Sequence, residues 1–291
     1  MIEKEVALSA VPSSRRIQLD DAEKSGLGRQ GVQLHTETFG DPARPPLLLC
    51  HGFGGSARNF RMQARVLEAQ FRVTLFDLRG HARSPAPEGA AAYRLEALLG
   101  DVSELVEAAG APVILGGLSL GAKLALDYAL DEPEQVRALL LASYPNSGED
   151  PKRRAWALGF ADAIETRGLD DAGAEFVWGE RSRFDPKGAA LIRQGFLEHS
   201  PHALAHILRE VLATLPSPST LSPRLRALSI PTCIIAGSDD PESLGPCREL
   251  AALLPRAEIH EVAGAGHVVN LAKPAQFNDL LKTFLAPFVD A

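Results

Sequence analysis

Short apolar runs alternate along this chain with longer stretches whose apolar residues recur at helical spacing. The runs "PLLLCHG", "RVTLFD", "APVILGG", "VRALLLAS", "TCIIAG" and "AEIHEV" read as strands, most of them with the near-continuous apolar character of strands covered on both faces. Between them, "LEALLGDVSELVEAAG" and "LGAKLALDYALDEP" carry the helical period. This alternation predicts an α/β fold, a mostly parallel sheet flanked by helices. "GVQLHTETFG" adds an earlier, antiparallel strand. "RRIQLDD", within a loose lead-in over residues 1–30, brings the expected sheet to eight strands.

The alternation stops near residue 146, and from there to about 215 the pattern is helical only. Asp150-Pro151, Asp185-Pro186 and Ser200-Pro201 each read as an N-cap followed by proline at the first helical position. Leu204, Ile207, Leu208, Val211, Leu212 and Leu215 then form one apolar stripe. "PSPST", residues 216–220, returns the chain to the sheet. The expected organisation is a core in two parts, 1–145 and 216–291, with a helical cap inserted at 146–215 over one end of the sheet. An ordinary packing lobe is the alternative. Trp156, Phe160, Phe176 and Trp178 concentrate aromatic surface there. They are candidates for an apolar substrate pocket between cap and core.

Composition narrows the function. Hydrophobic residues make up 45% of the 291 and charged residues 23%, ordinary for a soluble globular chain. A net charge of −7 argues against a nucleic-acid partner, which needs a basic footprint. No apolar run approaches the roughly 20 residues that span a bilayer, and "MIEKEVALSA" lacks the features of a signal peptide. Cys50, Cys233 and Cys247 have no metal-ligand spacing and read as reduced thiols. The expectation is a cytoplasmic protein acting on a small molecule, with no membrane or metal and with homo-oligomerisation left open.

Candidate chemistry centres on "GGLSLGAK", residues 116–123. A serine between glycines is a weak signal by itself, since a glycine-rich turn gives the same string. Its context is specific: a strand precedes Ser119 and a helix follows it. A tight strand-to-helix turn strains the serine backbone and crowds its neighbours, so glycines fit there. A hydroxyl needs a base before it becomes nucleophilic. His267 closes the small-residue turn "VAGAGH" after a strand and can reach the same end of the sheet. His260, His202 and His206 read as unremarkable. An acid must orient the base, and "IIAGSDDPE" offers Asp239 and Asp240. For a developing oxyanion, the backbone N–H groups of Phe53, in "LLLCHGFGGS", and Leu120 are the candidate donors. His51 reads as a support for that loop.

Taken together, "HGFGGS", "FDLRGHARS", "GLSLG", "GSDD" and "GAGHVVNLAKPAQF" resemble the α/β-hydrolase superfamily. The similarity is to the group holding small esterases, cofactor-free haloperoxidases, enol-lactonases and carbon–carbon bond hydrolases. The resemblance implies the α/β-hydrolase fold and the chain order Ser119, Asp240, His267 for a triad. The acid usually lies three positions after the glycine that ends its strand, which points to Asp240 and leaves Asp239 as a turn residue. Ala82 and Ala122 stand where the family often has glycine. Val268 stands where carbon–carbon bond hydrolases often have tryptophan, which lowers the weight of that activity.

The resulting expectation is a serine hydrolase of carboxylic esters or lactones that works through an acyl-enzyme without a cofactor. Perhydrolysis or carbon–carbon cleavage by the same triad is the second reading. A non-catalytic ligand-binding relative is a remote third.

Overall fold

A computed structural model describes residues 32–179 and 186–289. Its sheet contains β1 (Thr36–Phe39), β2 (Pro46–Cys50), β3 (Arg72–Phe76), β4 (Val113–Leu118), β5 (Val136–Ala142), β6 (Thr232–Gly237) and β7 (Ala257–Val262). Their order is β1-β3-β2-β4-β5-β6-β7. β1 runs antiparallel to β3 and every other pairing is parallel. These are the seven runs singled out in the sequence. The expected eighth strand, "RRIQLDD", lies outside the described residues, among which the sheet has seven strands.

The apolar character of the strands follows from burial on both faces. Along β2, Leu47 and Leu49 enter one apolar cluster, while Leu48 and Cys50 enter another on the opposite face. Helices α1 (Arg61–Leu67), α9 (Val269–Ala272) and α10 (Pro274–Leu285) contribute to the first. Helices α2 (Leu95–Ala109), α3 (Leu120–Asp131), α7 (Ser222–Ala227) and α8 (Pro241–Leu253) contribute to the second.

Between β5 and β6 lie α4 (Pro151–Phe176), α5 (Pro186–Phe196) and α6 (Pro201–Ile207), followed by a π-helical turn at Leu208–Leu212. Asp150 caps α4, its carboxylate accepting the Lys152 N–H at 2.9 Å. Ser200 precedes Pro201 at the start of α6, whereas Asp185 lies outside the described residues. Gly168 breaks the helical path of α4 with φ 82°. The stripe Leu204 to Leu215 is buried and joins the cluster containing Leu48 and Leu124, so the core of this segment is continuous with one face of the sheet. No described helix is long and apolar enough to cross a membrane.

Candidate active site

Ser119 occupies the turn from β4 into α3 with φ 54° and ψ −112°, a left-handed conformation that only glycine adopts without strain. Two backbone bonds hold it: the Ser119 N–H donates to Ala142 O at 2.9 Å, and Ser119 O accepts from the Lys123 N–H at 2.9 Å. The flanking glycines are required by close approach. A Cβ on Gly117 would lie 2.5 Å from both Cys50 O and Gly121 C, and one on Gly121 would collide with Cys50 O. The ends of β2 and β4 and the start of α3 therefore meet backbone to backbone. The turn leaves Ser119 at the carboxyl ends of the strands, beside the unpaired amides of the first helical turn.

His267 and Asp240 reach this end from two adjacent strands. Gly237 ends β6, and a Cβ there would collide with Ala265 O and lie 2.5 Å from Gly266 O, so its absence lets the two loops pack together. His267 Nδ1 and Asp240 Oδ2 are 2.7 Å apart. Asp240 is 7% exposed. Burial raises its pKa, but hydrogen bonds from His267 and Ser243 outweigh that effect and hold it below the usual carboxylate value. The neighbouring Asp239 is exposed; its N–H donates to Ala265 O at 2.9 Å and its carboxylate accepts from Ser238 Oγ at 3.0 Å. Ser243, buried on α8, places its hydroxyl 3.2 Å from His267 Nδ1. It was not among the expected site residues. Its signal was slight: a serine one helical turn after the aspartate that precedes α8.

The loop after β2 carries Phe53, and its folding depends on three buried histidines. His51 Nδ1–H donates to Gly52 O at 2.7 Å while Nε2 accepts the Leu78 N–H at 3.0 Å. His81 Nε2 accepts the Gly54 N–H at 3.2 Å. His199, between α5 and α6, accepts the Ala82 N–H at 2.8 Å and donates to Gly54 O at 2.9 Å. Each ring thus serves as an acceptor and must be neutral. Burial accordingly lowers all three pKa values, that of His51 to about 4. The expected support by His51 is one part of this cluster; His81 and His199 were not anticipated. Asn270, just after His267, adds a further tie by donating to Asn59 O at 2.8 Å.

A cavity of about 810 Å³ joins these parts. Ser119, Asp240, Ser243 and His267 line it on the core side, with Phe53 beside them. Trp156, Phe160 and Phe176 line it on the helical side. Trp178 departs from expectation: it is absent from the lining and packs its indole on Gly173 and the Phe196 ring. Leu120 is fully buried, its N–H belonging to the first turn of α3.

Elsewhere, the parallel register sets Cys233 of β6 against Glu258 of β7 and brings them with His260 within 4.8 Å. Glu258 and His260 bond to one another at 3.1 Å, and burial pushes the Cys233 thiol up, away from the thiolate that binds metals.

The model of the alpha/beta hydrolase family matches residues 47–280. A putative carbamate hydrolase, RutD, of Variovorax paradoxus is 30% identical over 88% of this chain and 97% of its own length. The 3-oxoadipate enol-lactonase 2 of Acinetobacter baylyi is 26% identical over 91% of this chain and 97% of its own. Among solved structures, a thermophilic esterase from Thermogutta terrifontis matches with TM-score 0.78 and 25% identity, covering 89% of this chain and 94% of that one. The strand order, the serine turn and these likenesses agree, and the chain belongs to the alpha/beta hydrolase family.

Proposed function

We propose that this protein hydrolyses a carboxylic ester or lactone bond of a small, partly apolar substrate through an acyl-enzyme on Ser119. The observation that carries this reading is a serine on a strained strand-to-helix turn that shares one cavity with an Asp240-paired His267. His267 Nε2 takes the proton as Ser119 Oγ attacks the carbonyl carbon. The resulting oxyanion is met by the N–H groups of Phe53 and Leu120, each worth roughly 3–4 kcal/mol in the transition state. Collapse breaks the bond to the leaving oxygen, which takes the proton from His267. Water, deprotonated by the same imidazole, then attacks the acyl carbon and releases Ser119. Asp240 holds the imidazole tautomer, and Ser243 helps to hold Asp240. No step needs a metal or organic cofactor.

The relatives' names, carbamate hydrolase and enol-lactonase, share an acyl carbon as electrophile, which supports this reaction class. In the same reading residues 146–215 cap the cavity, with Trp156, Phe160 and Phe176 as its apolar wall. A screen of 4-nitrophenyl esters of increasing acyl length tests the reading. Turnover with a burst of nitrophenol stoichiometric with enzyme supports an acyl-enzyme, and no turnover of any ester or lactone tested contradicts it.

A further inference from the structure

Arg153, on the first turn of α4, lines the same cavity as Ser119 and His267. Its guanidinium lies over the Trp156 ring, 3.9 Å from the centroid. Its Nε is buried without a hydrogen-bond partner. Another arginine of the cavity wall, Arg58, is committed: its fork donates to Glu198 at 2.9 and 2.6 Å. The carboxylates nearest Arg153 in effect have other donors. Glu242 accepts from Asn146 Nδ2 at 3.2 Å, Asp150 from the Lys152 N–H at 2.9 Å, and Asp240 from His267. Burial lowers the Arg153 pKa, and the fields of Glu242, Asp240 and Asp150 only partly oppose this.

Arg153 is half-buried, and a guanidinium partly withdrawn from water is costly unless an anion or an aromatic face replaces the lost hydration. Trp156 covers the face, which leaves the in-plane donors. Those donors form a fork matched to the two oxygens of a carboxylate. We propose that the substrate carries a free carboxylate that docks in the plane of the Arg153 guanidinium. The substrate class is then an ester or lactone bearing a second, ionised carboxyl group. Which bond is cut rests on the reading of Ser119 as nucleophile; the anion site stands without it.

The test uses paired esters of hexanedioic and octanedioic acids, each as the mono-4-nitrophenyl ester, an anion, and as its methyl 4-nitrophenyl diester, which is neutral. Wild-type protein should favour the anion in at least one pair by about tenfold or more in kcat/KM, the scale of a charge-assisted hydrogen bond. The ratio should fall towards unity in Arg153→Gln and recover in part in Arg153→Lys, which keeps the charge without the fork. Wild-type rates that are equal within each pair, or a preference that survives in Arg153→Gln, overturn the proposal while leaving the serine reaction standing. If neither kind of ester is turned over, the reaction assigned to Ser119 fails for these substrates and calorimetric titration with the monomethyl esters of both diacids decides. Binding that weakens about tenfold or more in Arg153→Gln supports the anion site. Equal binding by the two proteins, or none by either, overturns it.

Discussion

Asp240 Oδ2 lies 2.7 Å from His267 Nδ1, whereas the adjacent Asp239 carboxylate accepts from Ser238. Two consecutive aspartates therefore face different tasks, and their amide variants should differ in kind. Asp240→Asn should fold normally and lose on the order of 10⁴ in kcat, because the amide no longer holds the imidazole tautomer. Asp239→Asn should retain most turnover and change stability by about 1 kcal/mol or less. Parallel steady-state assays decide this; an active Asp240→Asn beside an inactive Asp239→Asn reverses the assignment.

Ala82 has φ 42°, in the region that favours glycine. A left-handed alanine costs roughly 1–2 kcal/mol, and glycine loses about 0.5–1 kcal/mol more backbone entropy on folding. Ala82→Gly should thus stabilise the protein by roughly 0.5–1 kcal/mol, raising Tm by about one to three degrees for a chain of this size. The Ala82 N–H still meets His199 in the variant. Calorimetry checks this, and a lower Tm contradicts the strain argument.

Acid should weaken the fold through the histidines behind the Phe53 loop. In the unfolded chain they titrate near the ordinary value of about 6.5, while burial holds His51 at about 4. The unfolded state therefore binds more protons across this window, and stability falls as pH drops from about 6.5 towards 4. Between about pH 7 and pH 5, His51 alone accounts for about 2 kcal/mol. His81 and His199, lowered in the same direction, add to the loss. Urea unfolding at the two pH values measures it. Stability unchanged or higher at the lower pH contradicts the neutral-acceptor roles of these rings.

The aromatic wall predicts acyl selectivity. Phe176 stacks on Phe160 with centroids 4.7 Å apart, and both line the cavity. Phe176→Ala should shift the preference in kcat/KM towards longer or branched acyl groups. It should also cost less than the ~3–5 kcal/mol of a fully buried phenylalanine, since Phe176 is half-buried. A chain-length profile that does not move while stability falls means that the ring serves only packing.

The central strands were legible because burial on both faces leaves unbroken apolar runs, as in β4 and β6, whereas the edge strands β1 and β7 keep polar residues among the apolar ones. The serine turn was legible because its glycines lie within two residues of Ser119, although the close approach that requires them is largely to Cys50 at the end of β2. The supporting residues were not. Ser243 acts on His267 across 24 positions and His199 on Gly54 across 145, so no local spacing records either contact. Trp178 misled for a related reason. Aromatic content places surface in the helical segment, but only tertiary packing, here Gly173 under its indole, decides which rings face the cavity.

The central claim is that Ser119 is the nucleophile. A fluorophosphonate probe followed by intact-mass and peptide mass spectrometry tests it most directly, with Ser119→Ala as the control and circular dichroism to confirm that the variant is folded. The account predicts one adduct per wild-type chain, mapped to Ser119, and none on the folded variant. An unlabelled wild type, or full labelling of Ser119→Ala, would contradict it.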